Sequence, residues 1–355
     1  MNLGFWEKLK KPFFVLAPLA DVTDTAFREL IAKYSKYGGK EGGFTHPQAE
    51  IVGGPDVFWT EFVSVDGLLS AGREVLLKDL EYTEREHPIV AQIFGSRPDN
   101  FREVGKLIKK LDFDGIDINM GCPDKSVEKQ GAGANLIKNP KLAQEIIRAT
   151  MEGAPDLPVS IKTRIGYHND NLDEWLRALL ETRPAAITIH ARTRKEMSNV
   201  PARWEEVARA VKLARGTGTL IIGNGDVADL KDAQAKAYET GADGIMLGRA
   251  IFGNPWLFNR KIKYSEIPIN EKLKVMVEHT KLFEKKLGLN QPGLVGRTDL
   301  QSKSVLGDIK SFAVMKKHYK SYVNGFDGAK ELRMELMGAQ NAKEVEDVVN
   351  RFLGV

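Results

Sequence analysis

The chain has one cysteine, Cys122, in 355 residues. A single thiol excludes an intrachain disulfide and fits a reducing compartment. The six histidines and that cysteine show no ligand-type spacing, so no structural metal centre is expected. No apolar run approaches the length of a membrane span. The closest thing to a targeting segment is Lys8, Lys10 and Lys11 ahead of Phe13-Phe14-Val15-Leu16-Ala17. It is short, contains Pro18 and meets Asp21 at once, so it reads as a first strand. Charge excess is slight: 52 Lys and Arg against 48 Asp and Glu give a formal +4. That permits a nucleic-acid partner without requiring one. A cytoplasmic monomer is the expectation, with no membrane association and no obligate protein partner.

Eight apolar runs without a polar face stand at 13–20, 57–65, 88–95, 115–121, 158–166, 186–191, 220–225 and 244–248. Such runs read as parallel strands buried on both faces. The segments between them, 139–151 and 204–214 among them, carry helical periodicity, and Asp99 is the expected N-cap of the helix through Val104 and Leu107. Eight strand–helix units over about 250 residues predict a TIM (β/α)8 barrel of the α/β class. A doubly wound sheet is the alternative, but Pro18-Leu19-Ala20-Asp21 stands where its glycine fingerprint belongs. The barrel is expected over 1–260, with a glycine-rich insertion at 35–55 at its N-terminal face. His46, inside that insertion, reads as a surface residue. From 261 to 355 the strand rhythm stops and helices are expected at 271–287, 304–323, 328–337 and 342–352, with 288–296 as a break. The second carries Ile309, Phe312, Met315, Tyr319 and Val323 on one face, and a basic run, Lys316-Lys317-His318-Tyr319-Lys320.

The most informative stretch is Gly115-Ile116-Asp117-Ile118-Asn119-Met120-Gly121-Cys122-Pro123. A strand ended by Gly121 and Pro123 leaves Cys122 at its C-terminal mouth. Barrel enzymes place their chemistry at those mouths. The other strand ends supply Pro18-Leu19-Ala20, Gln92, Lys162 with Arg164, His190 with Arg192, Asn224-Gly225-Asp226, and Gly248-Arg249. Polar groups alien to a buried strand thus recur on successive strands. The last two clusters fall where barrels hold phosphate. With Lys162 and Gln92 further round, the set suits flavin mononucleotide, Lys162 offsetting negative charge on the reduced ring. Gly131-Ala132-Gly133 lacks the third glycine of a dinucleotide fingerprint and follows no strand directly. It reads as shaping the loop after Cys122.

These motifs together resemble one family. Ile118-Asn119-Met120-Gly121-Cys122-Pro123, Gly131-Ala132-Gly133, Ile161-Lys162-Thr163-Arg164, Ile189-His190-Ala191-Arg192-Thr193-Arg194, Gly223-Asn224-Gly225-Asp226, and Leu247-Gly248-Arg249 with Gly253-Asn254-Pro255-Trp256 are similar to the tRNA-dihydrouridine synthases. The likeness runs from Val15 to Phe258 and continues through Lys316-Lys317-His318-Tyr319 and Leu332-Arg333. It implies an FMN barrel that reduces tRNA uridines to dihydrouridine with NADPH, and a helical tRNA-binding domain over 261–355. Carried over, Pro18, Leu19, Ala20, Gln92, Lys162 and His190 would meet the flavin. Asn224, Gly225, Asp226, Gly248 and Arg249 would surround its phosphate. Asn119 would hold the uracil and Cys122 would donate the proton. Arg164, Arg192 and Arg194 at the rim, and Lys316, Lys317 and Lys320 in the tail, would contact RNA. Two features depart from the family: the long 35–55 insertion, and Val200 where a glycine commonly precedes the proline. Two rivals are a flavin barrel acting on a free pyrimidine, as in dihydroorotate-type dehydrogenases, and a non-catalytic RNA-binding protein. Lys316 to Lys320 argues against the first, and Cys122, Lys162 and His190 against the second.

Overall fold

A computed structural model describes residues 1–38, 51–288 and 310–355. His46 and Ile309 lie outside the described residues, as do most of the 35–55 insertion and of the 288–296 break. The described residues form two compact units. One comprises Met1–Leu19, Asp56–Leu80 and Glu86–Arg249; the other comprises Ala20–Pro55, Glu81–Arg85 and Ala250–Val355. The helix Thr25–Ile31, expected within 1–260, falls in the second unit.

The first unit is a barrel of parallel strands. They are β1 Phe13–Leu16, β2 Phe58–Trp59, β3 Val63–Ser64, β4 Ile89–Phe94, β5 Gly115–Met120, β6 Val159–Arg164, β7 Ala186–His190, β8 Leu220–Asn224 and β9 Gly244–Leu247. Their order is β1-β9-β8-β7-β6-β5-β4-β2, with β3 also on β4. Leu16 N donates to Val57 O at 3.3 Å and Asp56 N to Phe14 O at 2.8 Å, which closes the ring. Phe13, Val15, Trp59, Val90, Ala186, Ile222 and Met246 fill one end of it.

The expected single strand at 57–65 is two short ones. Gln92 N donates to the Thr60 hydroxyl at 3.0 Å, and that hydroxyl bonds the Glu61 carbonyl at 2.8 Å. A side chain there replaces the ladder's carbonyl, and pairing resumes only at Val63. The helix Pro98–Lys110 has Arg97, and not Asp99, at its N-cap. Pro98 takes the first helical position, where its missing N–H costs nothing, and Asp99 sits in the first turn with its carboxylate on Arg102.

The second unit is helical. Ala26 of the helix Thr25–Ile31 shares a core with Leu273, Met276 and Phe283 of Ile269–Leu287, with Met315, Tyr319 and Tyr322 of Met315–Tyr322, and with Leu332, Leu336, Val345 and Val349. Ser35 Oγ donates to Pro255 O at 2.7 Å, and Gly53 bridges Asn259. No helix among the described residues is long and apolar enough to cross a membrane.

His279 and His318 are fully buried in this unit, with ring centroids 4.5 Å apart and Phe27 at 4.6 and 4.8 Å. Burial pushes His318 down to about 3, helped by the adjacent Lys317 charge, and holds His279 well below its ordinary value. Both are neutral when folded, whereas the unfolded chain protonates them near pH 6.5. Their contribution to stability is therefore full above about pH 6.5 and is lost as pH falls toward the folded value, by up to about 1.4 kcal/mol per pH unit for each histidine. Urea midpoints at pH 7 and pH 5 check this. His318→Phe should reduce the acid loss by about half, and an equal loss in both proteins would show that the pair does not carry it.

Candidate active site

Alternation along a strand puts residues i and i+2 on one face, and the parallel register lines these up in three steps toward the C-terminal ends. Gln92, Asp117 and Ser160 are register partners across β4, β5 and β6. Asn119, Lys162 and Thr188 form the next step, and Arg164, His190 and Asn224 the third. Barrel layers are ordinarily Val, Ile and Leu; polar layers mark this end as the chemical one.

The first step is held by Asp117. Its carboxylate is wholly buried and accepts from Gln92 Nε2 and Ser160 Oγ, both at 2.6 Å. Burial pushes it up to about 6, against the lowering effect of those two bonds and of the Lys162 charge. Asn119 sits above, donating to Gln92 Oε1 at 3.1 Å. Its Oδ1 accepts the backbone N–H groups of Gly121 and Cys122, at 3.1 and 2.9 Å. These bonds turn the chain out of β5 and fix Cys122 at the mouth.

Behind the turn, Ala134 N donates to the Cys122 carbonyl at 3.0 Å. A Cβ on Gly133, whose φ is +59°, would lie 2.8 Å from that carbonyl, so glycine alone permits the approach. The Gly131–Gly133 segment shapes the cysteine loop, as expected. The thiol is half-buried against Phe62, Phe94, Val127 and Ala132. Burial raises its pKa above the ordinary value, which keeps the proton on sulfur at neutral pH.

Beside it, Lys162 has no hydrogen-bonded or ion-paired partner among the described residues; burial and then Arg164 bring its ammonium down to about 8. His190 is held well below its ordinary value by burial and by Arg164, Lys162, Arg192 and Arg249, so it is neutral. Arg192 Nη1 lies 3.1 Å from His190 Nε2. A guanidinium only donates, which makes Nε2 the acceptor and places the imidazole proton on Nδ1.

At the ends of β8 and β9, Asn224 Nδ2 donates to Met246 O at 2.8 Å. Gly225, at φ +129°, has no room for a Cβ, which would meet Ala202 at 2.9 Å. Asp226 accepts from Arg192, Arg249 and the Ala202 N–H, and its pKa is lowered despite its partial burial. That carboxylate tethers the Arg249 side chain, which is 63% exposed beside Gly248.

A family model described as "Dihydrouridine synthase (Dus)" matches residues 15–353. The chain belongs to the dihydrouridine synthase family. A Staphylococcus aureus (strain Mu50) protein described as "Probable tRNA-dihydrouridine synthase" is 37% identical over 357 residues, covering 99% of this chain and 96% of that protein. The Bacillus subtilis (strain 168) "Probable tRNA-dihydrouridine synthase 2" is 36% identical over 356 residues, covering 99% and 97%. A Staphylococcus epidermidis (strain ATCC 12228) relative is 36% identical over 357 residues, covering 99% and 97%.

In this family member three of the residues expected at RNA have partners within the protein. Arg164 is buried; its Nε donates to Gly121 O at 2.8 Å and its Nη1 to Thr193 O and Met197 O, both at 3.0 Å. Arg192 is buried too, with Nε on Val200 O at 2.6 Å, Nη1 on His190 and Nη2 on Asp226. Arg194 holds the Glu128 carboxylate through two nitrogens. Folding thus satisfies these guanidiniums with loop carbonyls and carboxylates, and they brace the mouth. Pro18 is buried after β1, Leu19 packs beside Gly248, and Ala20 is exposed and opens the second unit. In the tail Lys317 pairs with Asp21 at 3.1 Å, Lys316 is half-buried and Lys320 is exposed. Sequence reasoning missed Asp117, Ser160 and the buried Thr188, whose hydroxyl has no partner among the described residues. The available signal was a buried acid in the same alternation as Asn119.

Proposed function

We propose that this chain is an FMN-dependent tRNA-dihydrouridine synthase that reduces the C5–C6 double bond of tRNA uridines, with NADPH as the reductant. The observation that carries this is Cys122, its backbone held by Asn119 at the same barrel mouth as Lys162, which has no hydrogen-bonded or ion-paired partner among the described residues. The donor set fits a flavin mononucleotide: Lys162 and the Thr188 hydroxyl lack partners among the described residues, and Gln92 retains one amide hydrogen. Gly225, Gly248 and the tethered Arg249 match an anionic phosphate end. When bound, the flavin would supply the hydride. The protein's own part is to orient the uracil and to deliver a proton to C5 from Cys122, which then regains one from solvent. Reaching a barrel mouth requires the base to leave the RNA stack, at a cost of a few kcal/mol. Nucleoside mass analysis of tRNA from cells with and without the protein tests the reading; unchanged dihydrouridine would overturn it.

The tail's role as a tRNA platform belongs to the same proposal. Lys320 lines a groove of about 420 Å³ with Lys330, Arg333, Asn324 and the exposed Met334. Replacing Lys316, Lys317 and Lys320 by Ala is expected to weaken tRNA binding and to flatten its salt dependence by roughly 0.7–0.9 for each phosphate no longer neutralised. Lys320 should account for most of this, since Lys317 already pairs with Asp21. A salt slope equal to wild type would remove this face from the RNA site and favour a free pyrimidine as substrate.

A further inference from the structure

The hydrogen bonds around Asn119 all run in one direction. Backbone N–H groups of Gly121 and Cys122 donate to Asn119 Oδ1, Asn119 Nδ2 donates to Gln92 Oε1, and Gln92 Nε2 donates to Asp117 Oδ2. Ser160 Oγ donates to the other carboxylate oxygen. A carboxamide has two nearly isosteric ends, one donating and one accepting, so two in series have alternative orientations. Here the series is fixed at both ends, because a backbone N–H only donates and an ionised carboxylate only accepts. Gln92 must turn its amide nitrogen to Asp117. Asn119 must then turn its own nitrogen to Gln92, which leaves its oxygen for the cysteine turn.

We propose that Asp117 is a positioning residue: its carboxylate orients the Gln92 and Asn119 amides and, through them, holds the turn that presents Cys122. The proposal deepens the reading of Cys122 as the proton donor and rests on it. Without the carboxylate Gln92 loses its preference, and a flipped Asn119 would face two backbone donors with its own donor. The turn would loosen and the half-buried sulfur would become more accessible.

Cys122 is the chain's only thiol, so alkylation by iodoacetamide reports on this site alone. It needs neither tRNA nor turnover, so it decides the proposal even where uridine reduction fails to appear. The quantity compared is the limiting rate reached at high pH, where the thiol is ionised in both proteins and any change in its titration drops out. Asp117→Ala is expected to raise that rate about fivefold, the worth of one net hydrogen bond. In the tRNA reaction it should lower kcat and leave KM for tRNA within about twofold. Asp117→Asn keeps an acceptor for Gln92 without the charge, and its limiting rate should return to within about twofold of wild type. Equal limiting rates in wild type and a folded Asp117→Ala would overturn the proposal. So would an Asp117→Asn as fast as Asp117→Ala, which would assign the effect to charge. If Asp117→Ala does not fold, Gln92→Met breaks the series one link further along. It should give the same rise, and a wild-type limiting rate there overturns the proposal equally.

Discussion

Cys122→Ala is expected to lower uridine reduction by roughly 10²–10⁴-fold, the usual worth of a positioned general acid. The fold should survive the change. Asn119 holds the backbone N–H of residue 122, not its side chain, and the carbonyl still receives Ala134. Flavin content should match wild type, since no flavin contact is assigned to the sulfur. Cys122→Ser should recover little, because a serine hydroxyl is a much weaker acid than a thiol. The measurement is dihydrouridine formed per enzyme under single-turnover conditions. A wild-type rate in Cys122→Ala would mean that another group, Lys162 foremost, supplies the proton.

Asp226→Asn is expected to cost about 2–3 kcal/mol of stability, below the usual 3–5 for breaking a buried pair because the carboxylate is partly exposed. Arg192 is 2% exposed, and the substitution leaves its guanidinium without a counter-charge. Asp226 has φ +49°, and asparagine tolerates that conformation, so the change isolates charge from backbone strain. The same substitution releases Arg249, so weaker flavin retention should accompany the loss. Urea unfolding with an unchanged slope checks the first effect. A shift below about 0.5 kcal/mol would show that water compensates Arg192 there.

Much of the barrel was legible because its strands are apolar runs with hydrophobic period and turn residues at their ends. Asn119 and Cys122 stood out because a polar strand residue followed by Gly-Cys-Pro has few other uses. Asp117 did not stand out, although it is two residues away. Its meaning depends on Gln92 and Ser160 lying beside it, and register between distant strands is not written in either strand's pattern. The internal partners of the rim arginines were not legible for a related reason. Sequence gives their charge, but the carbonyls of Gly121, Thr193, Met197 and Val200 that hold them lie in loops whose path it does not give. The run at 57–65 was continuous by hydrophobicity, and a single hydroxyl, on Thr60, divided it. The helix Thr25–Ile31 was expected within 1–260, but its apolar residues do not say which partner they take.

That last feature bears on synthesis. The face carrying Ala26 and Phe27 leaves the ribosome early, yet it packs with Leu273, Met276, His279 and His318, near the other end of the chain. Roughly 240 residues separate the helix from its first tail partners, and at ~5–20 residues per second it stays unmatched for about 10–50 s. During that interval an aromatic surface destined for a core is open to other nascent chains. Slow translation anywhere between the helix and the tail should therefore reduce soluble yield more than slow translation ahead of Thr25, and a fragment ending at Arg249 keeps that surface exposed for good.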